Sequence, residues 1–432
     1  MSYQMGIRRL DVTPPIGCFL AGYAARTAPS TGVYHPLTAT VVSVSDSETT
    51  VLLVSIEWLG FYDRTEEARK VIGQTTGIDA DHIILLGTHT HCGPAMRAVD
   101  ARRHGDSSLD DGYLSDVIRR LGEAAAEAVS DAFEVTLESG RDWCGFAASR
   151  RKPDNKGGVL WEPTLDAPHD HEVPVVLARD TAGDIRLVLF SYACDPTSTG
   201  PILDIGGDYP GFAIEAVESA LPGCAAMFAK GCGADQKPNF RDPDSGGFRK
   251  AEIEEVKANG VRLAESVIRA AGREPNPIAG QLAVKSELVE LTTDPLDKAI
   301  VSRLSTSKVA SEKMWADHFR SLNDSGGEPD RAVRVEVQSL TIGNSLALVT
   351  MAGEMSVEYG LRLKRELAAH FSTVIPLGYA NAIVGYIPVD RQLPEGGYEV
   401  IANQRTLLRP GPYQVGTESR IVVAAKRSCG CV

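Results

Sequence analysis

Five apolar runs in this chain break off into clusters of small, polar and ionisable residues, and that repeated pattern constrains the fold more than any other feature. The first, Ile83-Ile84-Leu85-Leu86, runs into Gly87-Thr88-His89-Thr90-His91-Cys92-Gly93-Pro94. Leu189-Phe190-Ser191-Tyr192 precedes Ala193-Cys194-Asp195-Pro196-Thr197, and Met227-Phe228-Ala229 precedes a stretch from Lys230 to Asn239. Ala347-Leu348-Val349-Thr350-Met351 leads to Gly353-Glu354, and Pro376-Leu377 leads to Gly378-Tyr379-Ala380-Asn381. A short continuous apolar run bounded by turn residues reads as a strand buried on both faces. In α/β proteins ligands gather beyond the carboxyl ends of such strands, where loops converge. One such cluster is no more than a turn. All of them together point to one shared site.

Segments with helical character separate these runs. Helices are expected over 63–75, 111–130, 211–220, 249–271, 295–322 and 354–370. Further strands are expected over 50–55, 173–177, 185–192, 224–229, 282–291 and 373–377, with a strand pair across 333–351. The alternation is that of an α/β protein. The polar, Gly-rich stretches at 152–158 and 323–330 are too short for domain linkers, and no internal repeat is present, so the 432 residues read as one composite domain.

His89 and His91 are two apart at the end of an expected strand, so their side chains share a face. Two imidazoles at such a rim can bind a metal, or one can bind it while the other handles protons. An isolated HxH pair is equally compatible with two hydrogen-bonded histidines in a turn. Eight cysteines are scattered along the chain and do not form a disulfide framework. Cys92, Cys194 and Cys232 lie within the motif-bearing segments, as soft metal ligands or, more commonly, as small buried thiols.

A formal net charge of −13 argues against general nucleic-acid binding and against adsorption to an anionic membrane. No stretch is long and apolar enough to span a bilayer, and the first residues carry no signal-peptide core, so a cytoplasmic protein is expected.

Thr88-His89-Thr90-His91-Cys92-Gly93-Pro94, Gly207-Asp208-Tyr209-Pro210-Gly211, the stretch ending in Pro238-Asn239, Gly353-Glu354, and the run from Gly378-Tyr379-Ala380-Asn381 to Gly397-Tyr398-Glu399 occur in this order. Together they resemble the catalytic domain of the neutral/alkaline, non-lysosomal ceramidase family. Leu10-Asp11-Val12-Thr13-Pro14-Pro15-Ile16-Gly17 and His35-Pro36-Leu37 fit the same resemblance, which extends over about residues 9–415. It implies mixed β-sheets flanked by helices, with residues 1–432 forming the catalytic domain and the C-terminal immunoglobulin-like domain absent.

The resemblance also implies a zinc amidohydrolase whose metal is held by two His, a Glu and a Tyr. Position by position these fall on His89, Asp195, Glu354 and Tyr386, so Asp195 stands where the family has its second His. A carboxylate there hardens the site, and two carboxylates with one His suit manganese or iron better than the two-His set does. Cys194 or His91 is an alternative ligand for zinc. A second departure is Lys237, in Gln236-Lys237-Pro238-Asn239, where the resemblance has a serine near the scissile amide. An ammonium can stabilise an oxyanion but cannot act as a hydroxyl. By the same resemblance His91 faces the reacting carbonyl, Arg150 lines the site and Tyr398 donates to the oxyanion.

The expected activity is metal-dependent hydrolysis of an amide C–N bond in a small-molecule substrate other than ceramide. An esterase or deacylase, other metal-dependent chemistry on a carbohydrate or cyclitol, and a non-catalytic binding protein on the same scaffold are the alternatives.

Overall fold

The computed structural model describes residues 2–97, 100 and 110–432. Two sheets are stacked face to face, with helices on their outer surfaces. The larger has nine strands. Its order is Ala225–Lys230, Ile185–Tyr192, Glu172–Asp180, Phe133–Trp143, Tyr3–Asp11, Thr38–Ser45, Thr50–Ile56 and Ile83–Gly87, with Asn276–Ile278 pairing beside Phe133–Trp143. Most neighbours are antiparallel, but each edge strand is parallel to its neighbour. The smaller sheet runs Leu282–Thr292, Ala332–Ile342, Leu346–Met351, Thr373–Leu377, with the last pair parallel.

Alternation along the strands explains why the apolar runs are unbroken. Ile84 and Leu86 face the core between the sheets, where they share a cluster with Leu340, Leu348 and Leu377. Ile83 and Leu85 face the other way, into a cluster with Leu114, Val117 and Leu121 of the helix Asp111–Ser130. A strand covered on both faces must be apolar at every position. The helices Asp208–Ala220 and Ile253–Ala271 cover another part of the large sheet, and Val357–Leu367 and Thr417–Ser428 cover the small one.

The large sheet curls strongly. Thr40 and Ser55, from strands near one edge, donate to the carbonyls of Ala226 and Phe228 in the strand at the other edge, at 3.2 and 2.6 Å. The curl brings the ends of Ile83–Gly87 and Ala225–Lys230 to the same end of the molecule. Isolated bridges there, Leu86 with Ala380 and Gly231 with Leu377, tie the large sheet to the small one. The five polar clusters noted in the sequence therefore converge.

Some expected elements differ from those observed. The helix expected over 295–322 is two, Lys298–Leu304 and Ala310–Asp324, separated by Ser305-Thr306-Ser307-Lys308-Val309. The helix expected from residue 354 begins at Val357, because Glu354–Met355 pairs as a short strand with Tyr386–Ile387. The helix expected from residue 249 begins at Ile253, where Glu252 and Glu255 form a capping box.

Candidate functional site

Where the two sheets meet, a cleft of about 590 Å³ opens, lined among others by His89, His91, Arg97, Glu354, Tyr386 and Tyr398. His89 follows the strand Ile83–Gly87 and sits in the left-handed backbone region, with φ of 68°. That conformation is uncommon outside glycine and is the sort of local strain found where a side chain must be aimed. The Nδ1–H of His89 donates to the Leu59 carbonyl at 2.8 Å, because a carbonyl can only accept. Its Nε2 lies 3.4 Å from a carboxylate oxygen of Glu354, an ion-pair contact without hydrogen-bond alignment.

Glu354 and Tyr386 are register partners in the short parallel ladder, which places their side chains next to each other. Burial raises the pKa of Glu354, but the close approach of His89, the charge of Arg97 and the neighbouring Tyr386 outweigh it. The net shift is downward, so the carboxylate stays ionised at neutral pH. Arg97 is anchored by Asp100 at 2.8 Å and lies over the Tyr62 ring at 5.0 Å.

His91 is packed 5.0 Å from the ring of His89 and 4.8 Å from that of Tyr23. Gly22 makes this packing possible, since a Cβ there would lie 2.5 Å from the imidazole. Neither ring nitrogen of His91 has a hydrogen-bond partner among the described residues. Burial, then the charges of His89, Arg26, Arg97 and Lys237, hold its pKa well below 6.5, so the ring is neutral.

A second group of charges lies behind this wall and does not line the cleft. Asp195 is wholly buried. Its Oδ1 accepts from the Tyr379 hydroxyl at 2.7 Å and lies 3.3 Å from the Lys230 ammonium, and its Oδ2 meets Nη1 of Arg150 at 3.4 Å. The Tyr379 ring is 4.3 Å from that of His89, so Tyr379 stands between Asp195 and the cleft histidine. Gly233 allows the loop carrying these residues to close, because a Cβ there would be 2.5 Å from the backbone of Ala193.

Arg150 also pairs with Glu399 at 2.8 Å, and its guanidinium lies 4.4 Å from the Trp161 ring and 5.3 Å from those of Tyr386 and Tyr398. Lys237 donates to the carbonyl and the hydroxyl of Thr197, the latter at 2.9 Å. Burial lowers its pKa to about 8.

The expected residues thus divide. His89, His91, Glu354, Tyr386 and Tyr398 share the cleft wall, whereas Asp195, Arg150 and Lys237 lie off it. Lys230, Tyr379, Arg97 and Glu399 were not singled out in the sequence as site residues. The available signal was Lys230 itself, a charge closing an otherwise apolar strand.

The four-ligand metal set implied by the resemblance does not fit these positions. Both oxygens of Asp195 are engaged, and two cations already face it. Cys92, Cys194 and Cys232 are buried free thiols. Among the described residues no group of three or more His, Cys, Asp and Glu side chains is arranged to hold a metal ion. Nor is any helix among them long and apolar enough to cross a membrane.

Among the solved structures similar to this chain are two ceramidases. One is described as a ceramidase complexed with C2, with 18% identity, a TM-score of 0.74, and coverage of 99% of this chain and 75% of that one. The other is the neutral ceramidase from Pseudomonas aeruginosa, with 17% identity, the same TM-score, and coverage of 100% and 75%. No protein-family model and no curated protein matches. At this identity the likeness establishes the fold. The chain has a mixed α/β fold of the ceramidase catalytic-domain type, built as a single composite domain.

Proposed function

We propose that the chain is a hydrolase that cleaves an amide C–N bond in a small polar substrate bound in the His89–Glu354 cleft. One observation carries this reading: an ionised Glu354 faces His89 Nε2 at 3.4 Å on the same wall as a neutral His91 with no hydrogen-bond partner among the described residues. Glu354 and His89 form a base pair able to take a proton from an attacking water. As the water oxygen bonds to the carbonyl carbon, negative charge develops on the carbonyl oxygen, and an N–H of His91 and the Tyr398 hydroxyl are the donors for it. The proton held by His89 then passes to the departing nitrogen as the C–N bond breaks. Lys237 and Arg150 act from behind the wall by their charge, not by contact with the reacting atoms.

The cleft chemistry favours a polar substrate over a lipid amide. Asp63, Glu66, Arg97, Arg334 and Arg409 line it beside Leu59, Ile383, Val384 and Leu407, so charged side chains interrupt the apolar surface that a two-chain lipid needs to be continuous. The test is turnover of paired amides and esters, such as N-acetyl and O-acetyl derivatives of amino acids and amino sugars. The amide is expected to turn over, and Glu354→Gln to lower kcat/KM by about 10²-fold or more. Turnover of esters alone would reassign the protein as a deacylase of oxygen esters. Tight binding by calorimetry with no turnover of either would replace the hydrolase reading with a binding role.

A further inference from the structure

We propose that the buried Lys230–Asp195 pair is a built-in substitute for a metal ion, and that this site works without a stoichiometric divalent cation. The inference goes beyond the hydrolase reading and stands whichever bond is cleaved.

Lys230 is the last residue of the strand Ala225–Lys230, and its side chain has no exposure. An ammonium so placed is costly unless it is paired. Its contacts are Asp195 Oδ1 at 3.3 Å, the Gly231 carbonyl at 3.3 Å and the face of the Tyr379 ring at 4.2 Å. Every one is a negative or electron-rich group, the surroundings that a metal cation would seek. Asp195 in turn has both oxygens committed, to Lys230 and Tyr379 on one and to Arg150 on the other. A divalent ion drawing on Asp195 would have to displace these donors and stand beside two cations already within 3.4 Å of it.

The buried carboxylates are answered without such an ion: Asp195 is met by Lys230 and Arg150, and Glu399 by Arg150 and Arg151. The fixed cation also has a path to the cleft: Lys230 to Asp195, Asp195 to the Tyr379 hydroxyl, and the Tyr379 ring to His89. Lys230 is therefore a positioning residue, which holds His89 and Glu354 through Asp195 and Tyr379.

Elemental analysis of the full chain, purified from cells supplied with zinc, manganese and iron, tests this directly. Fewer than about 0.1 equivalents of any divalent metal are expected after dialysis, with no change of thermal midpoint on adding a chelator or the metals. About one equivalent surviving dialysis would overturn the proposal. The paired variant Asp195→His/Lys230→Gln restores a neutral ligand and removes the cation. It is expected to gain a cobalt absorption band and a metal-dependent rise in thermal midpoint, which Lys230→Arg does not show. A folded double variant that binds no cobalt would overturn the claim that this pair excludes the metal. Should the double variant fail to fold, the metal content of the unaltered protein decides the matter alone.

Discussion

The two sides of the Tyr379 ring follow opposite rules. On the cleft side, His89, His91 and Glu354 are incompletely satisfied: a 3.4 Å His89–Glu354 contact without hydrogen-bond alignment, an imidazole with neither nitrogen engaged by the described residues, and a strained backbone at φ 68°. On the buried side, Asp195, Lys230, Arg150, Arg151 and Glu399 form a set in which every charge faces an opposite one, with only Arg150 Nη2 and Arg151 Nε left without a hydrogen bond among the described residues. Unsatisfied polar groups at a cavity mark where a ligand or water completes the set. A satisfied buried network rigidifies, and removing one member strands the others. The comparison predicts that the cleft side carries activity and the buried side carries stability.

The largest expected effect tests that division. Arg150→Met leaves Glu399 with Arg151 alone and weakens the hold on Asp195, and is expected to cost about 3–5 kcal/mol in urea unfolding. Glu354→Gln keeps the shape of the side chain in a cavity open to water and is expected to cost about 1 kcal/mol or less. Comparable losses for the two variants would break the division. Equal losses of activity without the difference in stability would turn Arg150 into a member of the reacting set.

That division was only half legible in the sequence. The five apolar runs are strands because both their faces are covered, a condition that imprints itself on every residue of Ile83–Gly87 and Leu346–Met351. The strand Tyr3–Asp11 went unread because it carries Gln4, Arg8 and Arg9 among its apolar residues. The Lys230–Asp195 pair was hidden for a different reason. Its members lie on adjacent parallel strands and the loop that follows, so their contact depends on register and not on local pattern. The sequence placed Asp195 among the metal ligands because it stood at a ligand position. What it could not supply was the ammonium facing it. The histidines were legible as a pair, but their different surroundings follow from Leu59, Gly22 and Tyr23, which are remote in sequence.

A middle-sized effect concerns pH. The folded pKa of His91 lies well below its ordinary value of 6.5, chiefly through burial. Between those two values the unfolded chain binds more protons than the folded one, so stability rises with pH across the window. The contribution is fully present above about pH 6.5 and is lost as pH falls towards the folded pKa, with a slope of at most about 1.4 kcal/mol per pH unit. Urea midpoints measured on either side of pH 6.5 should show this slope. His91→Gln should flatten it, whereas Lys237→Met, which removes the weakest of the four charges acting on the ring, should reduce it only slightly. An unchanged slope in His91→Gln would place the acid sensitivity on the buried side.

The smallest effect probes the seam between the two sides. Trp161, about half exposed, lies 4.4 Å from the Arg150 guanidinium and 5.3 Å edge-on from Tyr398, so it touches one residue of each group. Cation–π contacts at such exposed positions are worth about 0.5–1 kcal/mol. Trp161→Ala should therefore lower stability by about that much, far less than Arg150→Met. Its kinetic signature is expected in KM, raised by a few-fold with kcat held, because Trp161 shapes the approach and touches no reacting atom. Tyr398→Phe keeps the ring and its packing against Trp161 and Tyr386 but removes the hydroxyl, and should do the reverse: lower kcat, hold KM. If Trp161→Ala lowered kcat as much as Tyr398→Phe, the aromatic rim would belong to the machinery that aligns the reacting groups, and the boundary between the two sides would have to be drawn outside Trp161.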